Sequence, residues 1–182
     1  MKFGITFKGD ISLERTTKLC QMAEEGGFEY AWLFDSHVLW QECYTVTAYL
    51  MAHTKKLRFG PLVTNPGVRD WTLAASTFAS LAKISGNRYD VGVGRGDSSL
   101  RMLGKKPRKI STTVEFMDFC KRMGRGETVH IHDRDLELPW ADPNTELPMW
   151  MAAYGPKALK ATGEHADGLV LQIGDPWLVQ WF

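Results

Sequence analysis

Short apolar runs alternate with longer segments of helical period along this chain, and that alternation is the pattern of a parallel α/β sheet. The strand-like runs are Lys2 to Phe7, Tyr30 to Phe34, Leu57 to Val63, Tyr89 to Val93, Met149 to Ala153 and Leu169 to Ile173. Between the first two, Leu13, Thr16, Thr17, Cys20 and Ala23 recur at helical spacing. Ser12 is placed to cap that helix, and Gly26-Gly27 to end it. Further helices are predicted over Thr45 to Ala52, Leu73 to Ile84, Thr113 to Met123 (closed by Gly124) and Pro156 to about His165. Ala23 to Trp32 and Thr162 to Leu171 resemble each other as helix end, acidic turn and strand, through repetition or through shared turn chemistry. Residues 125–148 are too long for an ordinary connection and predict an inserted hairpin, with Thr128 to Ile131 and Leu136 to Leu138 flanking Asp133-Arg134-Asp135.

Length then becomes informative. A βα unit takes roughly 30 residues, so 182 residues hold about six units in a single domain over 1–182. A closed eight-unit barrel takes about 250. The last apolar stretch, Leu178 to Phe182, reads as a helix cut off after starting. With 22 Lys and Arg against 21 Asp and Glu, the net charge of +1 creates no field that would draw nucleic acid or an anionic membrane. No apolar run reaches membrane-spanning length. Cys20, Cys43 and Cys120 match neither a zinc set nor a disulfide framework, so a cytoplasmic protein with reduced thiols is expected.

In parallel α/β folds ligands sit beyond the C-terminal ends of the strands, and here those ends are polar or glycine-rich. Asp35-Ser36-His37 follows the second run. His37 beside Asp35 is either a proton-handling pair or a helix cap with a solvated histidine. His130 and His132 lack a third ligand, and no metal is expected. Gly92 to Gly96 is G-x-G-x-G, not the dinucleotide fingerprint, but it allows a flat ligand or a phosphate close to bare backbone. Gly155-Pro156-Lys157 opens a helix, where free N–H groups favour an anion; an ordinary turn is the alternative. Lys105, Lys106, Arg108 and Lys109 form a basic run, either a solvated loop or a holder for an acidic ligand tail. Trp40, Trp71 and Trp177 also follow strand ends, as pocket walls or as core.

Taken in order, K-F-G-I-T-F, G-F-E-Y-A-W-L-F-D-S-H, L-V-T-N-P, G-V-G-R-G-D-S-S, M-A-A-Y-G-P-K-A-L and H-A-D-G-L-V-L resemble the luciferase-like monooxygenase superfamily, in particular its coenzyme F420 (deazaflavin) oxidoreductases. The resemblance implies an incomplete TIM-barrel type (β/α)8 fold, with this chain supplying roughly the N-terminal two thirds. It implies that Thr64-Asn65 forms a bulge behind the deazaflavin ring, often with a non-proline cis peptide. It places Gly94, Gly96 and Asp97 beside the coenzyme, and Ala153, Tyr154, Gly155, Pro156, Lys157 and Gly174 at its phosphate end. The family's adjacent Asp-His is interrupted by Ser36, so either Asp35 or His37 is displaced by one position. The implied activity is hydride transfer between a reduced deazaflavin and a small organic substrate, with His37 or Asp35 managing the proton. The alternatives are an FMN-dependent monooxygenase and a non-catalytic binding or assembly module. Open sheet edges predict a homo-oligomer or marginal stability alone.

Overall fold

A computed structural model describes residues 1–181, leaving Phe182 of the apolar end outside the described residues. The chain runs β1 (Gly4–Phe7), α1 (Leu13–Glu25), β2 (Tyr30–Leu33), α2 (Cys43–Ala52), β3 (Arg58–Pro61), α3 (Trp71–Ser85), β4 (Val91–Val93) and α4 (Asp97–Met102). It continues through α5 (Ile110–Gly124), β5 (Val129–Ile131), β6 (Arg134–Leu136), β7 (Met149–Ala152), α6 (Pro156–His165), β8 (Gly168–Val170) and α7 (Pro176–Trp181). All the predicted strands form, each shorter than its apolar run. Two local signals behave as expected: the Ser12 side chain accepts from Arg15 N at 3.2 Å, and Gly26 caps the C-terminus of α1.

The strands pair in parallel as β1-β2-β3 and β4-β7-β8, and bridges Phe59–Tyr89 and Thr64–Val93 join the two sets through β3 and β4. The architecture is therefore an α/β barrel type, with no closed barrel among the described residues. Alternation along each strand separates its two faces. Ala31, Leu33, Phe59, Val91, Val93, Met149 and Met151 face the helices and join Leu50, Phe78, Leu81, Phe116 and Met117 in the core. Tyr30, Trp32 and Trp150 lie on the other face. Trp32 on β2 and Trp150 on β7 have ring centroids 6.2 Å apart. In the strand order β7 stands three places from β2, so a flat sheet would separate them by about 14 Å. The sheet is therefore strongly curled, and glycines permit it. A Cβ on Gly60 would meet Asp90 O at 2.1 Å, and one on Gly92 would meet Pro61 O at 2.5 Å.

One local expectation is corrected, and one element is added. The hairpin exists, but its turn is His132-Asp133, both at positive φ, rather than Asp133-Arg134-Asp135; Arg134 already belongs to β6. Such a two-residue turn matches the twist of the flanking strands better than a longer loop does. Helix α4 was not anticipated, because six residues carry too little periodicity to register. The similar stretches 23–32 and 162–171 are both helix end, turn and strand, α1 into β2 and α6 into β8.

Candidate functional site

The C-terminal strand ends surround a cavity of about 860 Å³. Its walls are largely apolar, from Leu39, Trp40, Leu62, Val63, Ile110 and Val170. Its polar edge comes from Asp35, Ser36, Arg95, Asp97 and Lys157. That volume and that mixture suit a small-molecule or cofactor site.

Each wall segment follows from local sequence. Gly94 reaches the cavity because the β4 end crosses close behind Val63; a Cβ there would meet Val63 Cγ2 at 2.7 Å. Gly96 turns the chain into α4 at φ 88°, with Leu100 and Asn65 packed where a side chain would stand. Ala153, Tyr154, Gly155, Pro156 and Lys157 line the cavity where β7 gives way to α6. Pro156 occupies the first turn of α6, and Gly155 caps it without any side-chain hydrogen bond to the free N–H groups. A Cβ at Gly155 would meet nothing within 4 Å. The helix start is thus open and unblocked toward the cavity.

Asp35 is buried at the end of β2, at 4% exposure, yet still lines the cavity. Arg69 Nη1 donates to its Oδ1 and Oδ2 at 3.0 and 2.7 Å, and Thr64 Oγ1 donates to Oδ2 at 2.7 Å. The Tyr44 hydroxyl lies 2.9 Å from the same carboxylate oxygen and 2.8 Å from Thr64 Oγ1. The Arg69 guanidinium lies 4.3 Å from the Tyr44 ring centroid and pairs its other nitrogen with Glu42 at 2.7 Å. Burial works against the Arg69 charge, but Tyr44 and Asp35 outweigh it and raise its pKa above the ordinary value. Burial, reinforced by Asp35, likewise raises the Tyr44 phenol. This cluster fastens β2, α2 and the β3–α3 loop under the cavity floor.

Several residues singled out in the sequence stand elsewhere. His37 is exposed and absent from the cavity wall, although its loop contributes Ser36, Leu39 and Trp40. Trp40 and Leu39 donate their N–H groups to Ser36 O at 2.9 and 2.8 Å, and this tight turn points successive side chains apart. Thr64 and Asn65 are buried behind the wall. The non-proline cis peptide is Leu62-Val63, two residues before the expected place. Thr64 serves the Asp35 cluster, while Asn65 Nδ2 donates to Ser99 Oγ at 2.8 Å and anchors α4. Gly174 is exposed and outside the wall, which Val170, Leu171 and Gln172 supply after β8. Trp71 packs against Phe116 and Phe119 at 5.6 Å, as core, and Trp177 is exposed. Among the described residues no group of His, Cys, Asp or Glu is arranged to hold a metal. His130 instead lies 2.9 Å from Asp135 across the hairpin. Arg95 and Ser36 line the cavity although the sequence singled out neither; their signal was only position beside G-x-G and Asp35.

The sequence model of the luciferase-like monooxygenase family matches residues 1–181. The chain belongs to that family. Within it, two 5,10-methylenetetrahydromethanopterin reductases are similar: that of Methanopyrus kandleri is 30% identical over 97% of this chain and 56% of its own length. That of Archaeoglobus fulgidus is 29% identical over 97% of this chain and 54% of its own length. Among solved structures, the coenzyme F420 dependent tetrahydromethanopterin reductase from Methanopyrus kandleri superposes with a TM-score of 0.77 at 25% identity, covering 92% of this chain and 55% of that one. The luciferase-like chain spans a little over half the length of the curated relatives it matches. Its cavity fits a ring-bearing phosphate coenzyme of this family's kind on three counts: an apolar slot, glycines that bring backbone to its wall, and an unblocked helix start beside Lys157. Among the described residues no helix is long and apolar enough to cross a membrane.

Proposed function

We propose that this chain carries the coenzyme half of an F420-dependent oxidoreductase that transfers a hydride between a reduced deazaflavin and a small organic substrate. The observation that carries this reading is the cavity closed at one end by the uncapped α6 start at Gly155. The coenzyme F420 dependence of the Methanopyrus kandleri reductase whose structure it resembles supports the same coenzyme. A bound deazaflavin supplies the hydride, an electron pair with a proton, that reduces the substrate or receives it in reverse. The protein's own residues do the rest. Leu62, Val63 and Trp40 exclude water from a flat ring and hold it, and Gly94 and Gly96 let the backbone approach it. The α6 N–H groups and Lys157 bind the phosphate. Thr64 and Asn65 act from behind, through Asp35 and α4.

Of the two candidate proton-handling residues, Asp35 faces the cavity, but its oxygens are committed to Arg69, Thr64 and Tyr44. Asp35 therefore positions the floor. His37, whose ring has no hydrogen bond among the described residues, exchanges the proton at the mouth. The same reading makes this a cytoplasmic protein with buried free thiols at Cys20, Cys43 and Cys120, and a homo-oligomer through its sheet edges. The experiment is a spectroscopic titration of the chain with F420 and, separately, FMN. Saturable F420 binding with weaker FMN binding is expected; preferential FMN binding would replace this reading with the flavin monooxygenase one.

A further inference from the structure

We propose that the loop Lys105–Lys109 is a second subsite of this cavity, one that holds carboxylates strung beyond the phosphate end of the coenzyme. This rests on the deazaflavin reading, because the tail of that coenzyme carries glutamates whereas FMN stops at its phosphate.

The geometry starts at α4. That helix ends in a double reversal: Gly104 N donates to Arg101 O at 3.0 Å and Lys105 N to Leu100 O at 2.8 Å, with Gly104 at φ 68°. This pattern turns the chain back over the helix it has just left. The basic run therefore returns to the strand end from which α4 departed. Its return is fastened in both directions. Arg108 N donates to Arg95 O at 2.9 Å, and Arg95 Nε donates to Arg108 O at 2.7 Å. The Arg108 side chain lies against Gly67, where a Cβ would meet its Nε at 2.8 Å. Arg95 lines the cavity, and so does Ile110, the residue after the run. The basic loop is thus bound to the cavity rim through Arg108 and runs on from there directly into the cavity wall at Ile110, while its start at Lys105 is fastened back onto α4.

Charge supplies the second observation. Lys105, Lys106, Arg108, Lys109 and Arg95 are all exposed, and among the described residues none of them makes an ion pair. Asp97, the carboxylate at the start of α4, is engaged by Arg101 at 3.3 Å. In a chain whose net charge is only +1, this is a local excess of cations that repel one another until an anion arrives. A single phosphate held at Gly155 and Lys157 leaves that excess standing. Several carboxylates on one flexible tail would neutralise it, and each exposed contact would add a small, salt-screened gain.

The test titrates the full chain by quenching of deazaflavin fluorescence, using F420 with several glutamates and the same deazaflavin phosphate with its glutamates removed. The wild type is compared with Lys105→Gln/Lys106→Gln/Lys109→Gln, whose exposed substitutions leave the fold intact by circular dichroism. The triple variant is expected to lose roughly tenfold in affinity for the tailed form and less than twofold for the tail-free form, with the difference vanishing in high salt. Lys106→Glu alone should weaken the tailed form further than Lys106→Gln does. Equal losses for both forms, or no loss for either, would overturn the subsite while leaving the coenzyme reading standing. Failure of the wild type to bind either deazaflavin would overturn both.

Discussion

The two ends of the parallel sheet treat their polar groups in opposite ways. At the N-terminal end three charged side chains are consumed by the protein itself. The Glu24 carboxylate accepts the N–H groups of Lys55, Lys56 and Leu57 where the chain enters β3. Arg88 spans the same corner, donating to the carbonyls of Ser85, Leu57, Met51 and Thr54 at 3.0, 2.7, 3.2 and 3.4 Å. Inside the curl, Asp90 takes Arg58 on one oxygen and the Trp150 indole N–H, at 3.0 Å, on the other. At the C-terminal end the α6 N–H groups, Arg95 and Lys157 face a cavity. These groups close the fold at the N-terminal end, whereas the C-terminal end, beside its own closed Asp35–Arg69 cluster, leaves others available to a ligand. This division of labour is what barrel-type sheets display when stability and binding are kept apart.

The comparison breaks most easily at the mouth. His37→Ala should lower turnover about 100- to 10,000-fold with little change in coenzyme affinity or melting temperature. Asp35→Asn should in contrast lower stability by about 2 to 3 kcal/mol, since it removes the buried carboxylate charge from the partly buried Arg69 and leaves it only the exposed Glu42. Steady-state kinetics and thermal melts of a full-length relative carrying the same segment separate the two; unchanged turnover in His37→Ala would remove that residue from the chemistry.

At the opposite end, Arg88→Ala should cost about 3 kcal/mol in urea unfolding, because several carbonyls lose their donor at once, while the affinity of the folded fraction for coenzyme stays unchanged. A loss of affinity at undiminished stability would show that the two ends are not independent.

Gly155→Val should do the reverse. Its side chain meets nothing in the protein, so the melting temperature should hold, whereas affinity for a phosphate-bearing coenzyme should fall roughly tenfold by calorimetry. Unchanged affinity would exclude Gly155 from the site.

The smallest effect concerns acid. Burial opposes the Glu24 charge, but the N–H groups of Lys56, Leu57 and Lys55 outweigh it, so its folded pKa lies below the ordinary carboxylate value. Its contribution is present above the unfolded pKa and fades as pH falls through the folded one, because the unfolded chain takes up the proton first. Glu24→Gln should therefore flatten the acid limb of a stability profile below about pH 5. An unaltered limb would mean that other carboxylates govern acid unfolding.

What the sequence alone determined is local. Apolar period set the order of strands and helices, Ser12 and Gly26 set helix ends, and glycines at the β4 and β7 ends marked where backbone would line a pocket. These signals act over one to four residues, the reach of a helical turn or a strand's alternation. Tertiary structure decided which neighbours share a function. Asp35 and His37 are two residues apart, yet one is clamped by Arg69 from 34 positions away and the other stands in solvent. The basic run could be read from the sequence as a solvated loop or as a holder for an acidic tail; Gly104 turns it back so that Arg108 bonds Arg95 at the cavity rim. Thr64 and Asn65 stand where the resemblance placed the bulge, but the cis peptide is Leu62-Val63 and their side chains serve Asp35 and Ser99. Facing of this kind depends on contacts tens of residues apart, and no local period encodes which partner will be across the gap when the sheet curls.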